Sequence, residues 1–204
     1  MTTPTKRTYD GLNHAYGFFN DRLFGGRLPP CLITMQRSKK AYGYFAGGRF
    51  GTRDGREITD EIALNPSHFS SRTTEQSLST LVHEMTHLEQ HHFGTPSRQS
   101  YHNAEWAAAI LRIGLVPSDT GQPGGRTTGQ RMSHYVEPGG WFAGACQDLL
   151  GKGFVIEWTD RAGEPKAGRS GKRAKYLCPR CRLAAWAKPG AALKCGTCDV
   201  PMLA

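Results

Sequence analysis

The 204-residue sequence predicts an α+β fold followed by a small cysteine-rich appendage. Three observations lead there: stretches of helical periodicity, short alternating stretches between them, and two Cys-x-x-Cys pairs confined to the C-terminal end. A chain of this length can bury one proper core and carry one small extra module.

The first helix is expected over residues 8–24, where Leu12, Tyr16, Phe19 and Leu23 recur at intervals of three and four, and Gly25-Gly26 stops it. "CLITMQ" and "AYGYF" alternate like short strands, "GRFGTRDGREI" suggests a hairpin turning at Asp54-Gly55, and "EIALN" is a further strand. The sheet they form is expected to be mainly antiparallel. A second helix starts near Thr73, whose partner Gln76 completes a capping-box pattern, and runs to Phe93, where Gly94 and Pro96 end it. A third is expected over 101–113. "PSDTGQPGGRTTGQR" reads as an exposed loop, and "GWFAGACQDLLGKGFVIEW" as a short helix and a strand.

The formal net charge of +9 favours anionic partners, nucleic acid above all, without identifying one. No stretch approaches the apolar length that crosses a bilayer, and the N-terminal segment lacks the apolar run of a signal peptide. The expected location is the cytoplasm, at the nucleoid in a bacterial host, with no membrane partner. There the six cysteines are reduced or metal-bound rather than bridged.

Five of the eight histidines fall between residues 83 and 106. In "HEMTH", His83 and His87 are one helical turn apart, about 6 Å along the axis, so both imidazoles can reach one ion. Zinc bound there lowers the pKa of a water to about 7, and Glu84 can take its proton as it attacks a carbonyl. Chance occurrence on a polar helix face is the plain alternative. It is opposed by Leu78, Leu81, Val82, Met85 and Leu88, which build this helix into a core. A third protein ligand is required. His91 and His92 lie past the ion on the same helix and are assigned to surface or packing. His102 shares an inward stripe with Trp106, Ala109 and Ile113 and is preferred; Glu105 is the rival, otherwise a supporting residue beside the ligands.

"FFNDRLFGGRLPP", "GYF", "IALNPSHF", "LVHEMTHLEQHHFG" and "YHNAEW" resemble, in order, the landmarks of the SprT-like (Spartan-type) zinc metallopeptidases. The resemblance covers residues 8–115 and implies a zincin-like core. It also implies a catalytic zinc on His83, His87 and His102, with Glu84 catalytic and His92 holding no metal. Relatives of this kind often carry a C-terminal zinc module, and the characterised ones are associated with DNA and DNA-bound protein substrates. Residues 116–160 form a variable extension in which His134 or Tyr135 could donate to a developing oxyanion, ordinary packing being the plainer reading.

"YLCPRCRLAAWAKPGAALKCGTCDVPM" holds Cys178, Cys181, Cys195 and Cys198 as two knuckles that together complete a tetrahedral zinc site over residues 176–204. A ribbon this small needs the metal to fold, so two zinc ions per chain are expected. Cys31 and Cys146 are left as small apolar residues. The linker 161–175 carries Arg161, Lys166, Arg169, Lys172, Arg173 and Lys175. It is either a solvated spacer or, with Trp186, Lys188 and Lys194 of the ribbon, a nucleic-acid contact. The leading reading is a zinc endopeptidase acting on DNA-associated or DNA-crosslinked proteins. The alternatives are a peptidase for a particular regulator with no need of DNA, and a non-enzymatic zinc-stabilised binding protein.

Overall fold

The computed structural model describes residues 2–39, 41–98, 101–161 and 173–204. Lys166, Arg169 and Lys172 of the basic linker lie outside the described residues. The chain divides into two units, Met1–Gly163 and Glu164–Ala204.

In the first unit, helix α1 spans Pro4–Phe24 and starts earlier than the leucine periodicity suggests. The Thr3 side chain accepts the Lys6 N–H, and Pro4 stands at the first helical position, where its missing N–H costs nothing. Gly25, at φ 65°, closes the helix in the left-handed conformation. Leu12, Ala15, Tyr16 and Phe19 form its buried face.

Strands β1 (Leu32–Met35), β2 (Gly43–Gly51) and β3 (Ile58–Leu64) form one sheet in the order β1-β3-β2. β2 and β3 are the expected hairpin, turning through Thr52–Glu57 with Gly55 at φ 72°. β1, however, pairs with β3 in parallel, so the sheet is mixed rather than mainly antiparallel. Met35 and Gly43 both face Leu64 from opposite edges of β3, so the chain changes edge between β1 and β2. The Asn65 side-chain amide fastens this crossing by donating to the carbonyls of Ser38 (2.7 Å) and Ala41 (2.8 Å).

Helix α2 (Thr74–Phe93) has both halves of the Thr73/Gln76 capping box, and buries Leu78, Leu81, Val82, Met85 and Leu88. Helix α3 is Ala104–Arg112, shorter than the expected 101–113. The Asn103 side chain caps it by accepting the Trp106 N–H, and a capping residue has non-helical backbone, so His102 stands outside the helix. Strands β4 (Leu115–Ser118) and β5 (Ser133–Val136) form an antiparallel hairpin, followed by helix α4 (Trp141–Gly151). The apolar run after α4 is not the expected strand. It pairs with no strand among the described residues and is held by side chains: Phe154 packs on the core and Arg7 pairs with Glu157 at 2.9 Å. Phe142, Ala145, Cys146 and Leu149 of α4 share the core of α1, α2 and α3, and Cys31 packs partly buried against it.

In the second unit, β6 (Ala174–Leu177) and β7 (Ala184–Ala187) pair antiparallel. The unit's core is small: Tyr176, Cys178, Cys195 and Met202 are its buried members. No helix among the described residues is long and apolar enough to cross a membrane.

Candidate metal centre

α2 carries His83 and His87 one turn apart, and their ring centres lie 5.2 Å from each other. Because the apolar side of α2 is in the core, this turn is buried with it: His83 is 7% and Glu84 5% exposed. His102 comes from the strap before α3 rather than from that helix's apolar stripe. An isolated β-bridge with Gly129 fixes its backbone. Its ring lies 4.7 Å from that of His87 and 5.6 Å from that of His83, and the Nε2 atoms of His87 and His102 are 3.0 Å apart. One ligand-capable nitrogen from each of the three falls within 4.8 Å of the others. Trp106, fully buried, touches all three rings at centroid distances of 4.9, 5.1 and 4.3 Å.

Burial favours uncharged imidazoles. It takes His83 well below the ordinary histidine range, His87 to about 3, and lowers His102. Neutral rings keep one lone pair each. For His102 its position is set by a partner that can only accept: Nδ1–H donates to the Gly129 carbonyl at 3.2 Å, leaving Nε2 free to ligate. Three neutral imidazoles without a carboxylate are a donor set suited to zinc rather than to magnesium or calcium.

Glu84 is pushed up to about 8 by burial, against the pull of the Phe45 backbone N–H. A divalent cation in the centre would favour its ionised form. The strand that supplies this N–H approaches α2 so closely that a Cβ on Gly43 would lie 2.8 Å from Thr80 Cγ2 and 3.3 Å from Glu84 Oε1. Glycine is required there. Glu105, the rival third ligand, points elsewhere: its Oε1 accepts the Thr95 N–H at 2.8 Å and ties down the turn after α2.

His91 and His92 are exposed, but His92 is more than a surface residue. Its Nε2 lies 2.6 Å from Asp60 Oδ2, and Asp60 also accepts the Gly48 N–H at 2.7 Å. Burial raises the Asp60 pKa, and these hydrogen bonds outweigh it to leave a net lowering. No local pattern marks this pin, because Asp60 and His92 are 32 residues apart.

β5 brings His134 against the centre, its Nδ1 3.0 Å from His83 Nδ1 and its Nε2 2.9 Å from Ser79 Oγ. Burial, helped by the Arg72 charge, takes His134 down to about 4. Both ring nitrogens are engaged within the protein, so His134 stands here as a partner of His83 and Ser79. Successive strand residues face opposite ways, so Tyr135 is directed away from the centre when His134 faces it.

The sequence model of the SprT-like family matches residues 12–126, more than half of the chain. The chain belongs to the SprT-like family. The match takes in α1 from Leu12 onward, the three-stranded sheet, His83, Glu84, His87 and His102, and stops short of His134. A Salmonella typhimurium protein described as an "uncharacterized protein in mucB 3'region" is 54% identical over 62 residues, 30% of this chain and 84% of that protein. No solved structure matches.

Outside the SprT-like match, the second unit places Cys178, Cys181, Cys195 and Cys198 with one sulfur each within 4.8 Å of the others. The two knuckles repeat one backbone pattern. Arg182 N–H donates to the Cys178 carbonyl at 3.0 Å, and Asp199 N–H to the Cys195 carbonyl at 2.8 Å. Cys178 N–H donates to Leu183 and Cys195 N–H to Val200, both at 2.9 Å. Arg182 (φ 63°) and Asp199 (φ 53°) are the only described non-glycine residues in the left-handed region. Such backbone costs on the order of 1 kcal/mol or more each and persists where the surroundings impose it. The Cys181 backbone N–H draws the Cys178 thiol down to about 6, towards the thiolate that ligates metal. Four convergent thiols with such turns fit a closed structural zinc site.

In the SprT-like core, Trp106→Ala removes the surface on which all three histidines rest. It is expected to cost about 3–5 kcal/mol of stability. Trp106→Phe should cost much less, since the indole N–H has no partner to lose. Thermal unfolding of the two variants checks this, and equal destabilisation would contradict it.

Proposed function

We propose that this SprT-like chain is a zinc-dependent endopeptidase of the HExxH type, with a zincin-like core, acting on proteins associated with DNA. The observation that carries the reading is the convergence of three neutral imidazoles, from two separate elements, beside the buried carboxylate of Glu84. A zinc ion held by His83, His87 and His102 would supply Lewis acidity, polarising the scissile carbonyl and acidifying the attacking water. Glu84 takes the proton of that water and delivers it to the leaving amine. Its dry surroundings strengthen the interactions it makes with a charge beside it.

DNA association is read from the second unit and the linker. Arg173, Lys175, Trp186 and Lys188 are exposed, with Lys175 opposite Trp186 in the strand register and its ammonium 6.0 Å from the ring centre. Alternate strand positions share a face, so these four give one cationic, aromatic surface suited to phosphates and stacked bases. Lys194 is less available, being paired with Asp199 at 2.6 Å.

Proteolysis of a DNA-binding protein with and without single- and double-stranded DNA tests the reading. Stimulation by DNA supports it; equal cleavage without DNA favours a dedicated regulator as substrate. Changing Lys172, Arg173 and Lys175 together to alanine should weaken DNA binding and flatten its salt dependence by up to about three units of log–log slope. Cleavage of a short free peptide should be unaffected. Unchanged binding by the triple variant would remove this segment from the DNA contact.

A further inference from the structure

We propose that His134 is a positioning residue for the three-histidine centre: it dictates which nitrogen of His83 faces the metal, so the β4–β5 hairpin helps set metal affinity. The inference rests on the reading of His83, His87 and His102 as one metal site.

One end of this hydrogen-bond chain has no choice of role. The Gln76 backbone carbonyl can only accept, and the Ser79 hydroxyl donates to it at 3.0 Å. Ser79 Oγ is thereby turned to accept, and the group facing it at 2.9 Å is His134 Nε2. With its proton on Nε2, an uncharged His134 has its lone pair on Nδ1, 3.0 Å from His83 Nδ1. The lone pair on Nδ1 therefore accepts from His83 Nδ1–H, and His83 is left with Nε2 as its one ligand atom. The relay Gln76–Ser79–His134–His83 runs in a single direction, and each hydrogen bond fixes the next.

The same segment supports a second ligand. Gly129, in the loop before β5, accepts the His102 Nδ1–H and forms a two-way backbone bridge with that residue (2.8 and 3.1 Å). Two of the three ligand rings are thus held from behind by residues between α3 and α4. The third, His87, is braced by stacking on Trp106 at an interplanar angle of 19°. Metal-ligating histidines commonly need such a partner on the far nitrogen, and its loss costs about 10–100-fold in metal affinity. Here the partner is another histidine where a carboxylate or carbonyl is usual. An uncharged acceptor adds no negative charge behind His83.

The test uses the full chain, with the four-cysteine site as an internal reference. Zinc affinity is measured by chelator competition on the parent, His134→Ala, His134→Asn and Ser79→Ala. His134→Ala should lower affinity at the histidine site about 10–100-fold and leave the cysteine site unchanged. The asparagine amide oxygen can stand where Nδ1 stood, so His134→Asn should recover most of the loss. Ser79→Ala should give a smaller loss, because it frees the His134 ring without removing it. Nitrogen NMR of the metal-free chain supplies a readout that packing alone would not move. His83 should be the Nδ1–H tautomer in the parent and His134→Asn, and a mixture in His134→Ala. If the parent holds zinc at the histidine site and His134→Ala holds it equally well, the positioning role is wrong and the metal site stands. If His134→Asn is no better than His134→Ala and both unfold earlier without metal, His134 only packs. A parent that binds zinc at the cysteines alone overturns both the site and this inference.

Discussion

Glu84→Gln will leave the protein folded and metal-loaded while lowering peptide hydrolysis by about two to four orders of magnitude. Glutamine matches glutamate in size, so the tight space between β2 and α2 is still filled, and its amide oxygen can accept the Phe45 N–H that now meets the carboxylate. What the amide cannot do is accept a proton from the attacking water, because its oxygen is far less basic than a carboxylate. The substitution also replaces a group that becomes charged beside a cation with one that does not. Zinc content and thermal stability should therefore stay near those of the parent while the turnover number falls. Retained activity would mean that another residue serves as the base, or that the observed cleavage comes from a contaminant.

Stripping metal from the second unit will unfold it. Its buried core consists of Tyr176, Met202 and two of the cysteines themselves, too little apolar surface to offset the entropy of ordering the chain. Structural zinc contributes apparent binding energies of about 10–16 kcal/mol in small domains of this type, more than such a core supplies. The left-handed backbone at Arg182 and Asp199 would be held in place by an ion gripped between the two knuckles. Cys195→Ser, or a strong chelator, should collapse the amide signal dispersion of residues 173–204. The first unit, with its own core from Leu12 to Leu149, should keep its signals. A dispersed spectrum for residues 173–204 in metal-free Cys195→Ser would show that the unit folds without zinc.

What could be read from the sequence was local. The capping box of Thr73 and Gln76, the turn at Asp54-Gly55 and the pairing of His83 with His87 each depend on residues within one turn or hairpin, and the structure has all three. The four cysteines announce themselves by spacing alone and converge in the structure. What was misread depended on distant partners. Its spacing to Trp106 puts His102 on the apolar stripe of a helix, yet Asn103 caps that helix and Gly129, far along the chain, holds His102 in an extended bridge. The run Phe154–Trp158 has the apolar content of a strand but finds no strand to pair with among the described residues. β1 joins β3 in parallel because the chain changes edge between β1 and β2, where the distant Asn65 side chain holds the carbonyls of Ser38 and Ala41. His134 reaches His83 across 51 residues, and the sequence offers it only as an oxyanion candidate or a packing residue, because a partner that distant leaves no local signal.

The most direct test of the account is a count of zinc in the intact chain and in two single variants. Two zinc ions per chain are expected in the parent, one in His83→Ala and one in Cys195→Ser, with peptidase activity lost only in the first when a small peptide is the substrate. A parent holding a single zinc that His83→Ala leaves in place would contradict the three-histidine centre, and with it the proposed chemistry.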